Sequence, residues 1–198
     1  MAQCLITGGA GMVGRQLSRL LLQRGDRVTI LDLAPASRLP ADIRDRVTVI
    51  RADLTNWAEV MDGVRLTVPD VIYHIGALMP PASEQSHATA YAINVGGTVN
   101  MLEAARLFKV GTLVYSSTTA TFSPSLPEDC PNDYPQMPVT MYGVTKVCSE
   151  RLGEYYYRRY GVNFRAVRFL SILGPGRIPG FGWSAYTSLV IEECAKGN

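Results

Sequence analysis

The chain has 198 residues, enough for one domain with a sizeable core or for one domain and the beginning of a second. Its 47% hydrophobic and 18% charged content excludes a disordered chain. With 19 basic against 17 acidic residues, a formal net charge of +2, no polyanion-binding surface is indicated, so nucleic acid is not an expected partner.

The first element is a short apolar run, QCLIT at 3–7, which stops at glycine. Residues 12–24 carry apolar positions at helical spacing up to Gly25. Between them lies TGGAGMVG, residues 7–14. In such a strand, turn and helix, Gly8 permits the tight turn, Gly11 lets the backbone approach a pyrophosphate, and Gly14 allows close helix packing. The N–H groups at the helix start, at Met12 and Val13, then face the phosphates. A plain connection can be glycine-rich without binding anything, so the context decides.

The second strand, VTILDL at 28–33, ends with Asp32, 18 residues after Gly14. An acidic side chain there accepts hydrogen bonds from ribose hydroxyls and repels a 2′-phosphate, which favours NAD over NADP. Arg38 nearby is the one feature pointing the other way. A third strand, 47–54, ends in Asp53 and Leu54, suited to the adenine edge, while Asp53 is equally placed to cap the short helix of 55–63, opened by Thr or Asn. A fourth strand follows at 70–77, carrying His74, Ile75, Gly76 and Ala77. Strand and helix alternate throughout, which predicts a doubly wound parallel sheet between two helical layers, a Rossmann fold.

One long helix is expected from about Ala88 to Phe108, with Asn94 on it, then a fifth strand at 112–117 ending in hydroxyl residues. Five of the twelve prolines lie between Ser123 and Pro138, which predicts a surface loop. A helix from about Thr140 to Tyr160 opens with MYGVTK, and 162–170 supplies a sixth strand. Glycine and proline break the chain between 174 and 182 before a last helix at 184–196. That helix either packs on the sheet or begins a further part of a longer protein. The division expected is 1–170 as the dinucleotide-binding domain and 171–198 as the start of a substrate-binding lobe, most of which the chain lacks.

Tyr142 and Lys146 stand four residues apart, so on a helix they share a face, and an ammonium beside a phenol lowers the phenol's pKa toward general-base use. The same spacing occurs on helices without chemistry. In an open α/β sheet, however, ligands sit off the carboxyl ends of the strands, where His74 to Ala77, Ser116 to Thr118 and the start of the Tyr142 helix all fall. The four cysteines, without C-x-x-C spacing, and the two histidines build neither a disulfide framework nor a metal cluster. No apolar run nears the ~20 residues of a membrane span, and the N-terminus lacks the pattern of a signal peptide. A cytoplasmic protein without a membrane partner is expected.

Taken in order, TGGAGMVG, Asp32, Asp53-Leu54, HIGA at 74–77, Asn94 in INVGGT, SST at 116–118, YGVTK at 142–146 and GPGR at 174–177 resemble the extended short-chain dehydrogenase/reductase family over essentially the whole chain. The resemblance implies NAD as cofactor, Tyr142 as acid/base, Lys146 as the residue that lowers its pKa and holds the nicotinamide ribose, and Thr118 as the hydroxyl that steadies the substrate oxygen, with Ser117 competing. It further implies Ser116 and Asn94 near the cofactor, Glu84 and Ser171 toward a small-molecule substrate, and a homodimer through the two long helices, with Tyr155, Tyr156 and Tyr157 divided between that interface and the core. Two subgroups are similar, the nucleotide-sugar epimerases and dehydratases such as UDP-glucose 4-epimerase, and the short-chain L-threonine 3-dehydrogenases. Ala185 stands where the latter align an aspartate, and Thr119-Ala120 lacks the carboxylate of a dehydratase. The expectation is an NAD-dependent oxidoreductase or epimerase, with a nucleotide sugar ahead of a small hydroxy or amino acid, and a non-catalytic NAD-binding module as the reading from another class.

Overall fold

In the computed structural model, which describes residues 1–174 and 185–197, the six apolar runs form one parallel sheet. In chain order the elements are β1 (Gln3–Thr7), α1 (Met12–Gln23), β2 (Arg27–Asp32), α2 (Ala41–Arg44), β3 (Thr48–Arg51), α3 (Trp57–Thr67), β4 (Val71–His74), α4 (Ala82–Gln85), α5 (His87–Ala90), a π-helical turn (Tyr91–Gly96), α6 (Gly97–Leu107), β5 (Thr112–Thr118), α7 (Met141–Tyr160), β6 (Phe164–Phe169) and α8 (Ala185–Lys196). The strand order β3-β2-β1-β4-β5-β6 reverses direction between β1 and β4. That is the Rossmann order, and it opens a crevice beyond the carboxyl ends of those two strands. The register pairs Thr7 with His74, so the two loops that follow start side by side.

The two-residue period of each strand divides the core. Leu5, Leu31, Ile72, Leu113 and Tyr115 face α3, α6 and α7, while Cys4, Ile6, Val28 and Ile30 face α1 and α2. Central strands buried on both faces need the near-continuous apolar runs seen in the sequence. At the edge, β6 leaves Arg165, Ala166 and Val167 exposed. Among the described residues, no helix is long and apolar enough to cross a membrane.

The helix expected over 88–108 is not uniform. It runs as α5, the wider π turn and then α6. Such turns free a carbonyl from the regular ladder; here the Asn94 carbonyl accepts from the Thr98 hydroxyl at 2.5 Å and from the Ser149 hydroxyl at 3.1 Å. The third and fourth strands are shorter than predicted, because the chain turns off the sheet after Arg51 and after His74. Most of the GPGR stretch, from Pro175 on, lies outside the described residues, as does Ser184, the start expected for the last helix.

Packing of α7 on the sheet edge is tight at Gly153, where an added Cβ would lie 2.3 Å from the Phe164 ring. Gly153→Ala therefore forces a shift of a ring wedged against the core, at a cost of roughly 1–3 kcal/mol. The expected result is a lower urea midpoint with an unchanged slope.

Candidate active site

The turn after β1 is shaped by contact with the turn after β4. Gly8 has φ of 68°, and a Cβ there would lie 2.7 Å from the Gly76 Cα. A Cβ on Gly14 would lie 2.5 Å from the Gly9 Cα, so the first turn of α1 closes directly onto the loop. Gly11, by contrast, is exposed, and its Cβ would approach only the Gly8 carbonyl, at 3.2 Å. No side chain caps α1, and a helix start of this kind, here at Met12 and Val13, suits an anion.

Asp32 stands at the end of β2, its Oδ2 accepting from Ala10 N at 3.0 Å and its Oδ1 from Ala34 N at 2.9 Å. These bonds fix the carboxylate beside the glycine loop, and each oxygen retains a lone pair for a ribose hydroxyl. Asp53 accepts from the Thr55 backbone and hydroxyl, both at 2.8 Å. The cap of α3 is Asn56 rather than Asp53, with Asn56 Oδ1 accepting from Ala58 N and Glu59 N. Leu54 packs against Gly76 and Gly97, where added Cβ atoms would each lie 2.9 Å from its side chain.

Beneath the crevice runs a chain of hydrogen bonds whose direction is fixed by its ends. Thr7 Oγ1 accepts from Ile75 N and Gly76 N, and so donates to His74 Nδ1 at 2.8 Å. Thr98 donates to the Asn94 carbonyl, so it accepts from His74 Nε2 at 3.1 Å. His74 is therefore the neutral Nε2–H tautomer, and burial, with the Lys146 charge second, pushes its pKa down to about 3. Sequence reasoning places His74 at a strand end without giving it this role, and it passes over Thr7 and Thr98; a histidine closing an apolar strand beside a glycine is the available signal.

Asn94 is buried and joins three segments. Its Oδ1 accepts from Leu78 N at 2.7 Å, while its Nδ2 donates to the Leu78 carbonyl and to Thr145 Oγ1, both at 3.0 Å. Thr145 lies on α7, between the two residues expected to react. Thr140 caps that helix, accepting from Gly143 N at 3.0 Å. Tyr142 and Lys146 share one face as the spacing predicted, with the Lys146 Nζ 5.5 Å from the centre of the Tyr142 ring and 4.6 Å from that of Tyr115. Lys146 donates to the Ser116 carbonyl at 2.6 Å, among the described residues one acceptor for three N–H donors. Thr118 closes β5, its hydroxyl accepting from Ala120 N, and α7 meets the turn that follows so closely that a Cβ on Gly143 would lie 2.2 Å from the Ala120 carbonyl.

One expectation about this pair is corrected by the structure. The phenol is not lowered: burial pushes Tyr142 up to about 12. Burial also pushes the Lys146 ammonium down to about 7, which the Glu150 carboxylate one turn along offsets only in part. Burial favours the neutral form of both groups, yet with its pKa at about 7 Lys146 still carries charge near and below neutral pH.

Two residues expected to face substrate have their oxygens engaged within the chain. Ser117 points to the α7 side of the sheet, opposite Ser116 and Thr118, and donates to Glu150, which also takes Arg168 in two-pronged fashion and Gln136 at 3.0 Å. Ser116 and Thr118 lie on the other face of the strand. The two-residue strand period carried that distinction in the sequence. Glu84 accepts from the backbone of Met141 and Tyr142. Ser171 is exposed, just beyond β6. Of the three tyrosines in a row, Tyr156 is buried and donates to Glu103 at 2.6 Å, whereas Tyr155 and Tyr157 are exposed.

His74 sets a pH dependence. Its pKa falls from 6.5 in the open chain to about 3 in the folded one, so between these values the unfolded state binds more protons and stability rises with pH. The protein should lose thermal stability as pH drops below 6.5, and His74→Gln should flatten that part of the profile, as read by melting temperature between pH 3.5 and 7.

A model of the NAD dependent epimerase/dehydratase family matches residues 4–198. The chain is 31% identical over 193 residues to the mitochondrial L-threonine 3-dehydrogenase of Sus scrofa, covering 97% of the chain and 51% of that enzyme. Its fold superposes on the UDP-glucose 4-epimerase of Thermus thermophilus, solved with NAD, with a TM-score of 0.87 and 28% identity over 98% of the chain and 63% of that protein. The L-threonine dehydrogenase of Clostridium difficile gives a TM-score of 0.89 at 28% identity, over 98% of the chain and 61% of the enzyme. The chain thus spans less than two thirds of the length of each. With the Rossmann order, the glycine turn and the Tyr142 and Lys146 pair in place, the chain belongs to the NAD dependent epimerase/dehydratase family.

Proposed function

We propose that the complete protein is an NAD-dependent oxidoreductase that moves hydride between NAD and a carbinol carbon of its substrate, a nucleotide sugar, with Tyr142 as acid/base. The observation that carries this reading is the Lys146 ammonium, buried beside Tyr142 and, among the described residues, bonded to one acceptor, the Ser116 carbonyl. Its remaining donors fit the hydroxyls of a nicotinamide ribose.

Gly8, Gly11 and Gly14, with the N–H groups of Met12 and Val13, would hold the pyrophosphate, and Asp32 the adenosine ribose. Asp53 and Leu54 lie toward the adenine, and Ile75, Gly76, Ala77 and Ser116 along the path to the nicotinamide. Asn94 holds that path in shape through Leu78. When bound, NAD supplies the hydride acceptor at C4 of its nicotinamide. Tyr142 takes the substrate hydroxyl proton on its phenol oxygen, and Thr118 donates to the substrate oxygen. A phenol pushed up to about 12 needs a neighbouring cation to act near neutral pH, and Lys146, in its charged form, is this chain's own source.

The family match and the likeness to an epimerase solved with NAD support the cofactor and the reaction class. The 31% identity to a threonine dehydrogenase favours a second reading, net oxidation of a small hydroxy or amino acid. Residues 171–198 belong in this reading to the start of a substrate-binding lobe. A homodimer through α6 and α7 fits the exposed Tyr155 and Tyr157.

The test follows absorbance at 340 nm with the complete protein, NAD and a panel of UDP-sugars, L-threonine and other small hydroxy acids. Sugar stereochemistry is followed by NMR in the same samples. A change of stereochemistry without net NADH is the expected result, and NADH accumulating with a small acid would replace it with the second reading. Tyr142→Phe should lower turnover by about 100- to 10,000-fold with NAD affinity kept. Asp32→Asn should narrow the preference for NAD over NADP, measured as the ratio of the two dissociation constants, because a charge that repels the 2′-phosphate is gone.

A further inference from the structure

Glu84 has no task in the chemistry above, yet it touches the backbone of the reacting residue. It lies on α4, in the segment that follows β4 and carries Ile75, Gly76 and Ala77. Its Oε2 accepts from Met141 N at 2.9 Å and its Oε1 from Tyr142 N at 3.0 Å, across 57 and 58 residues of chain. Ser83, fully buried, adds its hydroxyl to Oε1 at 2.9 Å.

The first N–H groups of a helix lack intrahelical partners and are usually met by the cap residue beside them. Here the cap, Thr140, serves Gly143, and the two N–H groups before it are met by a carboxylate from elsewhere in the fold. A carboxylate offers each of two adjacent donors its own oxygen at fixed separation, which a single hydroxyl does not. The negative charge also suits the positive end of a 20-residue helix. Burial raises the Glu84 carboxyl, and the Met141, Tyr142 and Ser83 bonds together outweigh this and hold it below the usual range.

The same segment is tied to α7 a second time, through Asn94, which binds the Leu78 backbone and Thr145. The two ties bracket Tyr142, one at its own nitrogen and one a turn later. With the helix held at both places, a slide along its axis or a rotation about it would break one of these bonds.

We propose that Glu84 is a positioning residue, whose carboxylate locks the Tyr142 backbone to the segment after β4 so that the phenol keeps one fixed place relative to the crevice. This rests on Tyr142 being the acid/base. Glu84 thereby acts through Tyr142, with its oxygens spent on the helix rather than on substrate.

The test uses the complete protein labelled with ¹⁵N and with ¹³C at the tyrosine Cζ, the Tyr142 ring signal being assigned by its loss in Tyr142→Phe. In Glu84→Ala the Met141 and Tyr142 amides should exchange about tenfold faster, and the Tyr142 ring signal should shift or broaden. Glu84→Gln, which keeps one acceptor oxygen, should displace the signal the same way by less, and decides the matter alone if Glu84→Ala fails to fold. Thr140→Ala, which removes the cap of Gly143 from the same helix, should leave the ring signal in place. A ring signal unmoved in the Glu84 variants, or moved as much by Thr140→Ala, overturns the proposal, since either makes Glu84 one helix cap among others. Turnover is a separate arm: no Tyr142-dependent reaction in the wild type defeats the acid/base reading, while the ring signal still reports whether Glu84 places the phenol.

Discussion

An ammonium held away from water beside a phenol is the constraint around which the carboxyl end of this sheet is arranged. A buried charge without partners costs several kcal/mol. Lys146 meets that cost with the Ser116 carbonyl, the face of Tyr115 and the Glu150 carboxylate one turn along the helix. Its presence then governs its neighbours. His74, out of water and secondarily within the field of that charge, stays neutral, and only a neutral imidazole both accepts from Thr7 and donates to Thr98. Glu150 in turn must remain ionised, and Arg168, Ser117 and Gln136 more than offset the burial that works against it.

These bonds also join parts of the chain that the sheet alone would not. Glu150 and Arg168 link α7 to β6, and Gln136 and Asn132 bring in the proline-rich segment, the latter through its carbonyl at 2.7 Å from Arg168. Asn94 and Glu84 join α7 to the segment after β4. The helix that carries Tyr142 and Lys146 is thus braced from both sides by polar contacts, while its apolar contacts with the core include Leu152 and Tyr156. Polar contacts require defined angles, so they fix orientation where apolar packing would tolerate sliding.

What the sequence disclosed and what it withheld divide along the same line. The alternation of strand and helix, the glycine turn, Asp32 and the shared face of Tyr142 and Lys146 are local patterns, each contained within a few residues, and local periodicity is enough to find them. The role of Glu84 depends on a residue 57 positions away, and the π turn at Asn94 on hydroxyls from Thr98 and Ser149. No local pattern encodes such partners. The error over Tyr142 has the same origin. Spacing correctly put an ammonium next to the phenol, but the direction of the shift is set by how much water the fold excludes, a property of the assembled site.

That exclusion also bears on which reaction the site serves. With Tyr142 as the proposed acid/base, epimerisation and net oxidation would share their first step, removal of a hydroxyl proton as hydride leaves the same carbon. They part afterwards: an epimerase must hold its oxidised intermediate while the ring turns, and a dehydrogenase must let it go. Under the proposed roles, Tyr142, Lys146 and Thr118 would serve both alike, so the distinction would rest on groups other than these three.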